Sequence, residues 1–133
     1  MILVIGAAAS GKLDYVKSLG YSREDIADGV LDGRKVVYNL QNIVFRDPKA
    51  APELADALLR KDVVVCNEVG SGIIPLERKD REAREATGRL CIRLAQGADR
   101  VVRLVCGIPM IIKEKQTNGT DTAEARQDRG KPG

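Results

Sequence analysis

Apolar residues fall into short runs along the chain, and polar segments separate these runs. Five runs have the length and the apolar content of strands: 1–5, 34–40, 62–67, 100–106 and 110–113. Near-continuous apolar strands are typical of a parallel sheet that is covered on both faces. The glycine and proline before the last run predict that its strand turns back, as a short C-terminal hairpin.

Apolar residues at helical spacing occupy the segments between these runs. The spacing predicts helices at 11–19, 53–61 and 76–96, while residues 22–33 are predicted to form a helical turn and a surface loop. Strands that alternate with helices predict an α/β fold with a mostly parallel sheet and flanking helices. Helix 76–96 also carries acid-before-base pairs at i, i+4, which are typical of a solvent-exposed face.

Composition restricts the class of protein. The chain has 133 residues, a net charge of +3 and only 3% aromatic residues. The mild charge and the lack of aromatic platforms argue against nucleic acid as a partner, and no apolar run is long enough to span a membrane. Cys66, Cys91 and Cys106 lie in separate apolar runs, so we expect buried free thiols in a reducing, cytoplasmic compartment.

The C-terminal end of the chain loses the alternating pattern. Residues 114–133 contain no Leu, Ile, Val or aromatic residue, and their positive and negative charges balance. Such a segment cannot bury enough apolar surface to offset the entropy lost when it is ordered. We therefore predict one α/β domain at 1–113, followed by a disordered tail at 114–133.

A G-x-x-x-x-G-K sequence follows the first apolar run and leads into the first predicted helix. Strand, small-residue loop and helix start are the context of a phosphate-binding loop, whose backbone N–H groups point at phosphate oxygens while its lysine contacts the outer phosphates. The pattern also fits a Gly/Ala-rich turn whose lysine is merely exposed. The candidate nucleotide-binding residues here are Gly6, Ala7, Ala8, Ala9, Ser10, Gly11, Lys12 and Leu13.

A second candidate segment follows the strand at 62–67, and its predicted nucleotide-binding residues are Asn67, Glu68, Val69 and Gly70. Ligands of parallel sheets bind beyond the carboxyl ends of the strands, so this segment and the phosphate loop are expected to share one site. Glu68 is the only carboxylate predicted to follow a buried strand directly, which makes it the candidate Mg²⁺ ligand or base. The alternative is a surface glutamate that caps a turn. Lys12 and Glu68 are thus the candidate catalytic residues.

Three stretches together resemble the adenosylcobinamide kinase / adenosylcobinamide-phosphate guanylyltransferase family. They are G-A-A-A-S-G-K at 6–12, V-V-V-C-N-E-V-G-S-G-I-I-P at 63–75 and G-R-L-C-I-R-L-A-Q-G-A-D-R-V-V-R-L-V-C-G-I-P at 88–109. The resemblance implies a P-loop nucleotide-binding fold, a role in cobalamin biosynthesis, GTP or ATP with Mg²⁺, and a homo-oligomer, a trimer. The implied reactions are phosphorylation of adenosylcobinamide and transfer of GMP from GTP to adenosylcobinamide phosphate.

The chain departs from the family pattern at three points. It contains no histidine, whereas the family carries a histidine that becomes guanylylated, between the first helix and the second strand. Leu13 replaces the serine that normally follows the loop lysine, and Asn39 stands where the family has an acidic residue at the end of the second strand. The last two departures both affect the Mg²⁺ site that the resemblance implies.

Three functions therefore remain open at the level of the sequence. The first is an enzyme that phosphorylates or guanylylates a corrinoid precursor. The second is a catalytically weakened P-loop protein that binds nucleotide as a regulatory or scaffold subunit. The third is a small-molecule kinase with another acceptor. Loss of the metal ligands favours the second, while Lys12 and the segment after 62–67 favour the first or the third.

Overall fold

The computed structural model describes residues 1–68 and 77–115. These residues form one six-stranded sheet in the order β2-β3-β4-β1-β5-β6. Its strands are β1 (Ile2–Gly6), β2 (Ile26–Asp28), β3 (Val36–Tyr38), β4 (Val63–Asn67), β5 (Arg100–Val105) and β6 (Ile108–Glu114). The helices are α1 (Lys12–Ser18), α2 (Leu40–Arg46), α3 (Ala55–Leu59) and α4 (Arg78–Gly97), with 3₁₀ helices at Arg23–Asp25 and Pro48–Leu54.

The sheet is parallel except at one edge. Strands β2, β3, β4, β1 and β5 run parallel, while β6 pairs antiparallel with β5 and carries a bulge near Val101 and Val102. This arrangement confirms the predicted α/β class with a mostly parallel sheet and flanking helices. It also brings the carboxyl ends of the neighbouring strands β3, β4, β1 and β5 to one edge of the sheet.

Helices cover the sheet on both faces. On one face Leu3, Val64 and Cys66 pack with buried residues of α2, α3 and α4. On the other face Val4 and Val65 pack with Val16 of α1. The buried side chains are almost entirely aliphatic, as the low aromatic content requires, and a parallel sheet covered in this way explains why its strands read as unbroken apolar runs.

The segment predicted as turn and surface loop contains a strand. Residues 22–33 begin with the expected turn, the 3₁₀ helix Arg23–Asp25, but Ile26–Asp28 then forms β2 at the edge of the sheet. The prediction was wrong here because a three-residue strand is too short to give a periodic signal. The Arg34 guanidinium, which donates to the Ile26 carbonyl at 3.0 Å, also holds this edge.

Two element boundaries differ from the predicted ones, at the helix predicted for 53–61 and at the strand predicted for 110–113. Pro52 does not begin an α-helix but lies inside the 3₁₀ helix Pro48–Leu54, and α3 begins only at Ala55. Proline has no N–H to donate to the carbonyl four residues earlier, so the α-helical pattern starts only beyond it. At the other end of the chain, β6 begins at Ile108 and reaches Glu114, which pairs with Arg100.

Some predictions concern residues that the structure does not describe. Val69, Gly70 and tail residues 116–133 are among these, so the domain boundary and the disordered tail stay predictions. Within the described residues, all three thiols are free: Cys66 is buried, Cys91 is partly buried and Cys106 is exposed. The expectation of burial was wrong for Cys106 because it lies in the turn between β5 and β6. No described helix is both long and apolar enough to cross a membrane.

Candidate functional site

The loop at 6–12 closes tightly between β1 and α1. Gly11 has a φ of 92° and Ala9 a φ of 59°, so the backbone turns through the left-handed region twice. A Cβ added to Gly6 would lie 2.5 Å from Ser10 Oγ and 3.0 Å from the Leu104 carbonyl oxygen. Glycine is therefore required at position 6 by the close approach of the loop and of β5.

Lys12 folds back into this loop instead of projecting into solvent. Its residue is only 3% exposed, and its Nζ donates to the Ala7 carbonyl oxygen at 2.5 Å and to Ser10 Oγ at 3.4 Å. Burial lowers the pKa of Lys12, and the Cys66 and Glu68 side chains oppose this shift. The alternative of a merely exposed lysine is wrong, because the ammonium group is held at the centre of the loop.

The turn between β5 and β6 supports the loop from the side. The Gly107 N–H donates to the Ser10 carbonyl at 2.9 Å. A Cβ on Gly11 would lie 3.2 Å from the Gly107 Cα, so the two glycines allow the backbones to approach closely. The start of α1 is thus fixed by both β1 and the turn after β5.

Glu68 is tied to the same loop, but its carboxylate is already engaged. Its backbone N–H donates to the Gly6 carbonyl at 2.9 Å. Arg103 of β5 donates to both carboxylate oxygens, from Nε to Oε2 at 2.5 Å and from Nη2 to Oε1 at 3.1 Å. Sequence reasoning missed Arg103, although the signal was present: it is a charged residue inside an otherwise apolar run.

A chain of polar groups connects the ends of β2, β3 and β4. Asn39 Nδ2 donates to Asp28 Oδ1 at 2.7 Å, and Gln41 Nε2 donates to Asn39 Oδ1 at 3.1 Å. Gln41 Oε1 then accepts the N–H of Asn67 at 2.9 Å. Asp28, the last residue of β2, brings a second carboxylate to the carboxyl edge of the sheet. It was not among the predicted site residues because β2 itself was not predicted.

The structure therefore brings most of the predicted site together. The loop residues Gly6 to Lys12 adjoin Asn67 and Glu68 at the carboxyl edge of the sheet. Leu13 lies in the first turn of α1, where its apolar side chain packs against the core cluster around Val16. Val69 and Gly70 lie outside the described residues.

The side chains of the described residues do not fit a dedicated Mg²⁺ site. Position 13 offers no hydroxyl, the Asn39 amide contacts Asp28 and Gln41, and both oxygens of Glu68 face Arg103. Across residues 1–68 and 77–115, no three His, Cys, Asp or Glu side chains cluster closely enough to hold a metal ion. Hard cations such as Mg²⁺ require oxygen ligands, which this edge supplies only in paired form.

Comparison with known proteins identifies relatives of part of the chain. The Salmonella typhimurium protein "Bifunctional adenosylcobalamin biosynthesis protein CobU" is 49% identical over 53 residues, which are 40% of this chain and 29% of that protein. The Escherichia coli protein with the same description is 45% identical over 53 residues. The chain thus matches 29% of the length of each curated relative.

A family profile described as "Cobinamide kinase / cobinamide phosphate guanyltransferase" (CobU) matches residues 41–112. This range includes Glu68 and Arg103, while the loop at 6–12 precedes it. The match confirms the resemblance found in the sequence. Because it covers more than half of the 133 residues, the chain belongs to the cobinamide kinase / cobinamide phosphate guanyltransferase family.

Proposed function

We propose that this protein binds GTP or ATP in adenosylcobalamin biosynthesis and transfers a phosphoryl group to adenosylcobinamide. The observation that carries the proposal is the closed loop at 6–12, with the Lys12 ammonium held inside it and Glu68 bonded to its first residue. Membership of the CobU family supports the corrinoid acceptor. The names of the two relatives support a role in making adenosylcobalamin.

The proposed chemistry depends on position and charge. In phosphoryl transfer, the acceptor hydroxyl oxygen bonds to the terminal phosphorus and loses its proton to water, while the bond to the bridging oxygen of the nucleotide breaks. Catalysis then consists mainly of holding the groups in line and neutralising the phosphate charge. Lys12 would leave its loop carbonyl and donate to the outer phosphates, because a phosphate oxygen binds an ammonium more strongly than a neutral carbonyl does.

Magnesium enters this proposal with the nucleotide. Bound to the phosphates, it would supply charge neutralisation. Among the described side chains, we propose Glu68 as the one that would hold it, which requires the carboxylate to leave Arg103. Asn39 is less suited because its amide is part of the Asp28–Gln41 chain of hydrogen bonds.

Transfer of GMP is the less supported half of the family activity. This chain contains no histidine, so no imidazole of its own can carry a guanylyl group. We therefore favour the kinase step over GMP transfer. If GMP is transferred to cobinamide phosphate at all, the substrate phosphate would attack GTP directly and release pyrophosphate.

The alternative function is a catalytically weakened protein that binds nucleotide as a regulatory or scaffold subunit. Leu13, the engaged Asn39 amide and the paired Glu68 carboxylate favour it. A small-molecule kinase with an acceptor other than a corrinoid is the third hypothesis, and family membership weighs against it. A cytoplasmic location, which three free thiols support, is part of all three hypotheses.

The exposed apolar strand β6 supports a homo-oligomer, which we propose as the assembled state. Ile108, Ile111 and Ile112 are 64%, 55% and 57% exposed, and Met110 is 50% exposed. An exposed apolar surface of this kind is typical of a protein–protein interface, and we propose a second copy of this chain as its partner. The resemblance to the family implies a trimer, which is the assembly we propose.

Calorimetric titration tests the nucleotide proposal. GTP and ATP are titrated, each with and without Mg²⁺, into the wild type, Lys12→Ala and the control Lys17→Ala, which changes an exposed lysine of the same helix. We expect the wild type and Lys17→Ala to bind and Lys12→Ala to lose at least about tenfold in affinity. No binding by the wild type contradicts the proposal. Binding without turnover of adenosylcobinamide selects the regulatory alternative.

A further inference from the structure

The ion pair between Glu68 and Arg103 spans the central strand of the sheet. Arg103 lies on β5 and Glu68 follows β4, and β1 runs between these two strands. The guanidinium donates to both carboxylate oxygens in the two-pronged arrangement that it also forms with phosphate. The pair therefore lies across the end of the strand that leads into the phosphate loop.

Several backbone contacts place this ion pair at the base of the loop. Arg103 is in register with Ile5, the residue before Gly6. The Leu104 carbonyl closely approaches Gly6, and the Glu68 N–H bonds to the Gly6 carbonyl. Glu68 also attracts the Lys12 ammonium electrostatically. The carboxylate is thus an anion that interacts with two cations, one from the loop and one from β5.

The ion pair is accessible to solvent. The Arg103 side chain is 47% exposed and the Glu68 side chain 33%. Exposed pairs contribute little to stability, so this pair exchanges partners at low cost when a stronger anion arrives. A nucleotide brings several negative charges to the loop, where they compete with a single carboxylate for Lys12 and Arg103.

The same site lacks the side chains that usually fix a metal. Leu13 and Asn39 offer neither a hydroxyl nor a free carboxylate, whereas Arg103 adds a permanent positive charge at the same edge. Building on the nucleotide-binding function above, we propose that Arg103 binds the nucleotide phosphates, and that Glu68 occupies its guanidinium until they arrive. Arg103 then supplies part of the charge neutralisation that a protein-held metal provides elsewhere.

A purely structural ion pair is the competing explanation, in which Arg103 only joins β5 to the end of β4. The two roles differ in one measurable respect. A structural pair stabilises the protein and leaves binding of free polyphosphate unchanged. A phosphate-binding arginine changes that binding even when the fold and its stability are intact.

The experiment measures binding of inorganic tripolyphosphate and GTP in EDTA and in Mg²⁺, by calorimetry. The variants are Arg103→Leu, Arg103→Lys and Glu68→Gln. The matched controls are Arg100→Leu and Glu114→Gln. Arg100 lies on β5, as Arg103 does, but at the end of the strand away from the phosphate loop, where it pairs with Glu114 of β6. Circular dichroism and thermal melting of every variant show whether the fold is retained.

In EDTA, we expect Arg103→Leu to lower the affinity for tripolyphosphate and for GTP by at least about tenfold, the usual effect of removing one charged hydrogen-bonding group. Glu68→Gln should raise the affinity for both ligands by about two- to fivefold, since it removes the competing carboxylate. The affinity of Arg103→Lys should lie between those of the wild type and Arg103→Leu, because lysine keeps the positive charge but cannot donate two parallel hydrogen bonds. The effect of Arg103→Leu should be smaller in Mg²⁺, and both controls should bind as the wild type does.

Equal binding of tripolyphosphate by the wild type and a folded Arg103→Leu overturns the inference and leaves the nucleotide site standing. Weaker binding by Glu68→Gln in EDTA also overturns it. If Arg103→Leu does not fold, Arg103→Lys and Glu68→Gln decide the question, because the inference requires their opposite shifts. A wild type that binds neither ligand, even with Mg²⁺, rejects this inference together with the proposed function.

Discussion

Gln41 holds the residue that precedes Glu68: its Oε1 accepts the N–H of Asn67 at 2.9 Å. Gln41 is 9% exposed and lies in the first turn of α2, so the helix and the end of β4 are joined by a buried side chain. The same amide donates to Asn39 at the end of β3. The orientation of the segment that carries Glu68 therefore depends on a side-chain amide of α2 as well as on Arg103 of β5.

Replacing Gln41 by leucine is predicted to destabilise the protein. The Asn67 N–H, which is half-buried, would lose its acceptor. A fully buried donor left unsatisfied costs about 1–3 kcal/mol, so we expect a loss near the lower end of this range. Urea denaturation should show this loss, and the Asn67 amide should exchange its hydrogen faster. Asn42→Ala on the exposed side of the same helix is the control and should change the stability little. A Gln41→Leu protein as stable as the wild type would contradict the prediction.

The depressed pKa of Lys12 predicts a pH dependence of stability. Because burial lowers this pKa in the folded protein, the folded state releases its proton at a lower pH than the unfolded state does. Between the folded pKa and the ordinary value of 10.5, the unfolded state binds more protons, so the free energy of unfolding rises with pH. Lys12→Met lacks this contribution.

The measurement is urea denaturation of the wild type and Lys12→Met from neutral to alkaline pH. The stability of the wild type minus that of the variant should be constant at neutral pH and should rise as the Lys12 proton is lost. Taking the difference removes the contributions of tyrosines that titrate in the same range. A difference that stays flat or falls would show that the Lys12 pKa is not depressed.

Gly6→Ala is predicted to disrupt the phosphate loop. The new methyl group would meet Ser10 Oγ and the Leu104 carbonyl at distances that force the backbone to move. Overpacking of this kind costs about 1–3 kcal/mol, and we expect nucleotide binding to be lost with it. Thermal melting and a GTP titration measure the two effects.

Gly88→Ala provides the matched control for this substitution. Gly88 lies inside α4, and a Cβ there would contact nothing within 4 Å. Alanine is the better helix former by about 1 kcal/mol, so this variant should be more stable than the wild type and should bind nucleotide unchanged. If Gly6→Ala and Gly88→Ala have the same thermal stability and the same affinity for GTP, the close contacts at Gly6 are not the reason that glycine is required there.

Disruption of the apolar strand β6 is predicted to change the oligomeric state. Ile111→Ser should shift the protein towards the monomer, because it removes exposed apolar surface from the proposed interface. Ile92→Ser, which removes an isolated isoleucine that is 62% exposed on α4, should leave the assembly unchanged. Sedimentation equilibrium measures both. An Ile111→Ser protein with the mass of the wild-type assembly would exclude this strand as the interface.

The sequence predicts those features that depend on neighbouring residues. Strand β4 could be predicted because Val63, Val64 and Val65 are consecutive and apolar, and the loop at 6–12 because its spacing is short and local. Strand β2 could not, because Ile26 and Ala27 give too little signal without the strand that pairs with them.

The contacts between side chains within the site could not be predicted from the sequence. Arg103 meets Glu68 across 35 positions of the chain, and Gln41 meets Asn67 across 26. Such pairs depend on the order of the strands, which no local pattern specifies. An isolated arginine in an apolar run indicates that something polar lies nearby, but only the fold identifies its partner.

The parallel order of the strands has a practical consequence for handling this protein. Helix α1 leaves the phosphate loop and ends near Gly20, about 10 Å further along the helix axis and towards the opposite edge of the sheet. Gly20 is exposed, and its φ of 105° favours glycine, so the residue itself is best kept. A fluorophore, a surface linker or an inserted peptide beside Gly20 would leave the ligand-facing edge unobstructed.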